Sequence, residues 1–294
     1  MKTFTVLLIS ICFSVYNALA QTPDLAIAKT TYEFTHIRDT TNRTKPYKET
    51  MVLLSGRNAS VYRSLTKQQQ EEKMANEIAN QVKGAADPNH LSLTITGGGV
   101  ISNEEYYQYT APKKLYTEEK IINFYLTEES LPVINWTIQN DTLSIGTLHC
   151  QKATAHFKGR DYEAWFCADI PFKNGPWKLN GLPGLIVQAA DVKKEVVFKF
   201  MGFEDISQSK QTIQPPADDI KTQPKELARL KEARDKDPQG FMKSAHGSFS
   251  GGSRNTGPSF ANIDPNKISS INITRSDNLN SKTNNNPIEL PEKK

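Results

Sequence analysis

Apolar and polar residues alternate through much of this chain, and the alternation predicts β-strands. Leu25 to Arg38 is the first such run, with Tyr32, Phe34 and His36 on one side. A second region, Thr50 to Tyr62, holds Met51-Val52-Leu53-Leu54 and Ser60-Val61-Tyr62. Further strands are expected at Leu91 to Ile95, Tyr106 to Tyr109, Leu115-Tyr116, Ile121 to Leu126 and Ile134 to Ile138, with a turn at Asn140-Asp141. From Thr142 to Phe203 the chain reads as successive hairpins. Short strands at close spacing predict an α+β, mainly β fold: a curved antiparallel sheet or half-barrel.

Two helices interrupt this pattern. Thr66 and Gln69 form a capping-box pattern for a helix running to about Lys83. Its apolar stripe, Met74, Ile78 and Val82, is thin, which predicts a surface helix adding little to the core. A second helix starts near Thr222, with Pro224 tolerated in its first turn. Past Asp205 only Phe241, Phe249 and Phe260 remain of the aromatic residues. The body is therefore expected over residues 21–205. Residues 206–294 are expected to form a linker opening at Pro215-Pro216, the short helix, and a low-complexity tail. Its Ser-, Asn- and Gly-rich stretch 244–284 reads as disordered or laid on the surface.

The first twenty residues have the layout of a secretory signal. Met1-Lys2 is a short basic start, Val6 to Val15 is apolar, and Ala18-Leu19-Ala20 invites cleavage before Gln21. That apolar run is too short to cross ~30 Å of hydrocarbon with margin. No later segment is long and apolar enough for a transmembrane helix. A periplasmic or surface location follows as the expectation. The chain carries 36 Lys and Arg against 32 Asp and Glu. This balance, with no basic-aromatic stripe, predicts no nucleic-acid partner.

A secreted chain can form disulfides, and Cys150 and Cys167 are the candidates. If Lys158-Gly159 is a two-residue turn, Phe157 faces Arg160 and Cys150 falls opposite Cys167. The pair then occupies a non-hydrogen-bonded position, where strands approach most closely. The same register puts Gln151, Ala153, Ala155 and Phe157 opposite Phe166, Ala164, Tyr162 and Arg160 on a mainly apolar face. On the wetter face it sets Lys152 against Trp165 and His156 against Asp161. A three-residue turn, Phe157-Lys158-Gly159, would shift the pairing by one. The rival is a metal site from His149, Cys150, His156 and Cys167. Along an extended strand, however, Cys150 and His156 stand roughly 20 Å apart, while zinc needs its ligands at ~2.0–2.3 Å. His36 reads as a structural or surface histidine. No metal or cofactor is expected.

No catalytic motif is present: no G-x-S-x-G, no H-E-x-x-H and no P-loop. Gly97-Gly98-Gly99 lacks the Lys-Ser/Thr pair of a phosphate loop. The adjacent carboxylates Glu104-Glu105, Glu118-Glu119 and Glu128-Glu129 point to opposite faces on strands. No catalytic residue is assigned.

The segment Gly175-Pro176-Trp177-Lys178-Leu179-Asn180-Gly181-Leu182-Pro183-Gly184-Leu185-Ile186 resembles the signature of the GLPGLI family. Phe34-Thr35-His36, Gly159-Arg160, Ala164-Trp165-Phe166, Ile170-Pro171 and Asn286-Pro287-Ile288-Glu289-Leu290 fall where members carry similar residues. Cys167 departs from the pattern, which puts a family-wide disulfide in doubt. The resemblance implies a secreted protein of Bacteroidetes-type bacteria with no established activity, associated with outer-membrane TonB-dependent receptor systems. Glycines and prolines in the signature restrict the backbone, and Trp177 and Leu182 supply apolar anchors. The segment reads as a rigid corner clamping the sheet, or as an apolar docking edge for a partner. Two functions stay open: an envelope binding or accessory protein, and a carrier of a lipid or other apolar ligand of the LolA kind. A hydrolase with a scattered site is the third.

Overall fold

The computed structural model describes residues 23–97, 101–237, 239–241, 264, 267–275 and 284–292. The expected leader, Gly98-Gly99, and residues 244–263 and 276–283 of the expected tail lie outside them.

In chain order the strands are β1 (Asp24–Leu25), β2 (Ala28–His36), β3 (Tyr47–Ser55), β4 (Ala59–Ser64), β5 (Leu91–Gly97), β6 (Glu104–Tyr109), β7 (Lys114–Lys120), β8 (Phe124–Ser130), β9 (Thr137–Ile145) and β10 (Leu148–Phe157). They continue with β11 (Arg160–Cys167), β12 (Leu185–Asp191), β13 (Val196–Asp205), β14 (Thr212–Ile213), β15 (Ile220–Thr222) and β16 (Ile268–Arg275). Helix α1 spans Leu65–Lys83 and α2 spans Pro224–Lys236.

Twelve strands form one sheet in the order β15-β8-β7-β6-β4-β3-β2-β13-β12-β11-β10-β9. Its pairs are antiparallel except β15 with β8. The end strands do not pair with each other, so the sheet does not close into a barrel. It nonetheless bends sharply. Trp177 accepts a hydrogen bond at its carbonyl from Gln108 on β6 (2.9 Å), and its ring lies 5.6 Å from that of Phe157 on β10. Seven strand spacings separate β6 from β10, roughly 34 Å in a flat sheet. One residue reaches both only because the sheet wraps around it. The expected curved, mainly β architecture is the observed one.

Alternation explains the core. Tyr32, Phe34 and His36 are buried on one face of β2, as their spacing predicts. On β3, Met51 and Leu53 face the inside of the curve while Val52 and Leu54 face the other way, and all four are buried. The inner cluster joins side chains of β2, β3, β4 and β10 to β13 with Trp177, Leu179 and Leu182.

Helix α1 forms as expected but is capped differently. Ser64 is the N-cap, its hydroxyl accepting from the Lys67 amide at 2.8 Å. Thr66 instead accepts from the Thr50 amide. The thin stripe does not reach the main core: Ile78 packs with Leu91, Leu93 and Ile95 of β5, flanked by Met74, Val82 and Ile268. The partner of β5 is β16, in parallel. A strand thus lies within the stretch that Ser and Asn richness marked as disordered or laid on the surface. The predicted turn at Asn140-Asp141 is also overturned. Both residues lie within β9, where the pairing with β10 shifts register, and the chain turns at Gly146, whose φ is +61°. Such an irregularity accommodates turn-forming residues without ending the strand.

Candidate functional site

The Gly175–Ile186 segment leaves β11 and lies across the inside of the sheet before entering β12. Pro176 fixes the approach, and the Leu179 amide donates back to the Pro176 carbonyl (3.1 Å). Trp177 takes a φ of +57°, unusual for a bulky residue. The surrounding packing holds it there, since Trp177 is 2 % exposed. Two glycines are demanded by space. A Cβ on Gly184 would stand 2.1 Å from the Cys167 carbonyl oxygen, and one on Gly175 would stand 2.7 Å from Ile186 Cβ. The segment's carbonyls are met by side chains from distant parts of the chain. Tyr32 Oη donates to Ile186 (2.8 Å), Gln108 to Trp177, and Trp136 Nε1 to Asn180 (2.8 Å). Leu182, Leu185 and Ile186 are buried, whereas Pro183 is exposed. This is the geometry of a rigid corner inside the sheet.

Beside it sits a buried ionic centre. Arg160 heads β11 and is 3 % exposed. Its guanidinium donates to Asp191 (2.8 Å), Glu195 (3.2 Å), Asn286 Oδ1 (2.7 Å) and the carbonyls of Pro287 (2.8 Å) and Ile288 (2.9 Å). The fork of N–H donors is thus spent on two carboxylates and one chain segment. Arg43 also binds Glu195, at 2.7 Å. Despite desolvation, hydrogen bonds from Arg43 and Arg160 hold the Glu195 carboxyl below its ordinary range.

The segment held is Asn284–Glu292. Asn285 and Asn286 amides donate to the Arg38 carbonyl, and the Leu290 amide to that of Lys158. His36 Nε2 donates to the Asn286 carbonyl at 2.7 Å. Burial is the main reason its pKa drops to about 4, so His36 is neutral at pH 7. Glu289 bridges Lys178 (2.6 Å) and Lys158 (3.1 Å). A Cβ on Gly159 would meet the Leu290 carbonyl at 2.6 Å. Four separate parts of the family-like pattern, Phe34 to His36, Gly159-Arg160, the Trp177 segment and Asn286 to Leu290, therefore converge on one place.

The cysteine pairing follows the two-residue turn. Lys158 and Gly159 both have positive φ, as a primed turn requires, and β10 pairs with β11 from Phe157↔Arg160 to Gln151↔Phe166. Cys150 and Cys167 are next in that register. Both are buried and unbonded, with each thiol in hydrogen-bonding reach of the other. Burial pushes both thiols up, which leaves little thiolate. His149 lines an open surface depression with Cys150. His156 stands at the far end of the hairpin, bonded to Asp161 (2.6 Å) and Glu292 (2.8 Å). Among the described residues no three such donors converge as metal ligands. Lys152 pairs with Glu163 across the strands.

Two features had no sequence signal assigned to them. Glu49 is a buried carboxylate that accepts from the hydroxyls of Tyr47 and Ser64, and from the amide (3.1 Å) and hydroxyl (2.6 Å) of Ser102. Its acceptor sites are taken, so it ties β3, the start of α1 and the approach to β6 together rather than offering a base. The second is a cavity of about 260 Å³ inside the curve, bordered by β2, β3, β4, β6, Trp177, α2 and the Asn284–Glu292 segment. The signal for Arg160 was present: a lone arginine on an otherwise apolar strand face needs buried acid partners.

A family model described as "Protein of unknown function (Porph_ging)" matches residues 157–188, which include the whole Gly175–Ile186 segment. No curated protein matches the sequence. Among solved structures, the chain is similar to "Structure of PNGF-II in P21 space group" at 11 % identity and a TM-score of 0.47. It is also similar to "Structure of PNGF-II in C2 space group" at 12 % identity and a TM-score of 0.45. Each likeness covers 69 % of this chain and 32 % of the other, so the chain spans about a third of those proteins' length.

Proposed function

We propose that this chain is a secreted, non-enzymatic binding or accessory protein of the bacterial envelope, of the GLPGLI kind, working with an outer-membrane TonB-dependent receptor system. One observation carries the reading. The inside of the curved sheet, which a lipid carrier would leave open, is packed by Trp177, Leu179 and Leu182. The 260 Å³ that remains there falls below the ~300–1,000 Å³ of sites that enclose sizeable ligands. Apolar side chains sit outside instead. Val133 is 84 % exposed, and Ile138 and Leu143 stand out from β9, the last strand of the sheet among the described residues. Such residues suit a protein partner. Removal of the leader before Gln21 and a Cys150–Cys167 bond belong to the same proposal.

The test is native mass spectrometry of the mature protein taken from its own envelope, before and after organic extraction. A bare chain or one carrying a second protein is expected, two hydrogens lighter than the sequence mass. A bound mass that extraction removes would instead make it a carrier of an apolar ligand.

A further inference from the structure

The Asn284–Glu292 segment is held by two kinds of contact along its length. Asn286 to Ile288 are bound by the buried Arg160, and the Asn286 carbonyl also by His36. Neither side chain changes charge near neutrality. A guanidinium stays protonated throughout, and burial keeps His36 neutral, with a pKa of about 4. The outer end is held otherwise. Glu292 reaches the β10–β11 hairpin, where its Oε1 accepts from the Gly159 amide at 3.1 Å and its Oε2 meets His156 Nε2 at 2.8 Å. The other ring nitrogen, Nδ1, meets Asp161 Oδ1 at 2.6 Å.

Hydrogen-bond chemistry fixes the charge of that ring. An ionised carboxylate only accepts, and a neutral imidazole carries a single N–H. A ring set between two carboxylates at these distances satisfies both only as the imidazolium, with a proton on each nitrogen. Hydrogen bonds to Asp161 and then to Glu292 accordingly push the His156 pKa above its ordinary 6.5. In return, the bond from His156 holds the Glu292 carboxyl below its ordinary range. The other charged neighbours do not replace the ring. Lys158 also faces Glu292 but pairs with Glu289 at 3.1 Å. Glu163, which borders the same surface depression as His156, pairs with Lys152 at 3.2 Å.

We propose that His156 is a proton-operated latch: its imidazolium ties Glu292 to Asp161, and so to the β10–β11 hairpin, and loss of one proton frees the end of the segment beyond Leu290 while Asn286 to Ile288 stay bound. The sign follows on both sides. A raised histidine pKa keeps the latch closed through the ordinary histidine range and opens it as the pH rises through the folded value. A lowered Glu292 pKa opens it again as the pH falls through that carboxyl's folded value. The latch is closed in a band of pH and open on either side. It does not rest on the accessory role, and either can fail alone.

Nuclear magnetic resonance of the isotope-labelled full chain, titrated from about pH 5 to 9 across the histidine range, tests it. The His156 ring should titrate with a midpoint above 6.5. The Gly159 and Glu292 amide signals should move with that same midpoint, and the Glu292 amide should lose order above it. The Asn286 and Ile288 amides should not respond. Glu292→Gln and Asp161→Asn should each lower the ring's midpoint, and His156→Gln should remove the pH response of the Glu292 amide over this range. All three side chains are more than half exposed, so these variants fold. The proposal is overturned if the ring titrates at or below 6.5, if Glu292→Gln leaves its midpoint unchanged, or if the Gly159 and Glu292 amides do not follow it.

Discussion

Trp177 and Ile78 are both almost wholly buried, at 2 % and 1 % exposure, but they hold very different amounts of the molecule together. Around Trp177 meet side chains of β2, β3, β4, β10, β11, β12 and β13, and carbonyls of its own segment take hydrogen bonds from β2 and β6. Around Ile78 meet one helix, β5 and the flanking Ile268. The chief polar tie there is Gln81, whose amide group both donates to and accepts from the Thr94 backbone at 2.7 Å. The first region is a junction of segments distant in sequence, and the second is a local module on its flank. Burial of one side chain therefore measures what surrounds it, while the number of segments that meet there measures what fails when it is lost.

That contrast can be broken by mutation. Trp177→Ala should cost about 3–5 kcal/mol or more and lower the urea midpoint of the whole sheet. A shift confined to the motif would remove its standing as the junction. Arg160→Met leaves Asp191 buried without its cation and Glu195 with Arg43 alone, and should cost about 3–5 kcal/mol. Hydrogen exchange should show 284–292 released first. Ile78→Ala should cost about 2–4 kcal/mol locally. Amide exchange should quicken in α1 and β5 while the midpoint reported by β10 to β13 stays put. A matching loss across both regions would mean that the module is not separate.

Acid gives a smaller effect with a definite sign. His36 has a folded pKa of about 4 against an ordinary 6.5, so between those values the unfolded chain binds the extra proton. Stability should fall as the pH drops through that window, by about 1 kcal/mol per unit. Arg38 and Arg160 oppose the charged form, and Glu195 favours it. Urea titrations at pH 7 and 5 would show it, and equal midpoints would leave His36 without its assigned burial cost.

Much of the main sheet could be read from residues alone because the side-chain period of a strand is local. The Lys158-Gly159 turn fixed the β10–β11 register, and the His156–Asp161 pair followed from it. The α1 cap was misplaced because Ser64 and Thr66, two residues apart, both offer a capping hydroxyl, and Ser64 wins by ending β4. Neither β16 nor the Asn284–Glu292 segment could be found this way. The polar residues of β16 are partnered by another strand, and Asn286-Pro287-Ile288 has no periodicity to display. What holds that segment is Arg160, 126 residues away from Asn286, and no local pattern carries such a distance.

The Arg160 centre also sets a schedule for folding. Its shell takes His36 from near the start of the chain and Asn286 from near the end, 250 residues apart. A ribosome-bound chain that has made every strand through β15 still has a buried arginine short of three of its acceptors. Contacts of this separation close late, because the loop between them must first be gathered in. Completion of the core therefore waits for residues 286–288, and a chain interrupted before them carries a charge it cannot bury.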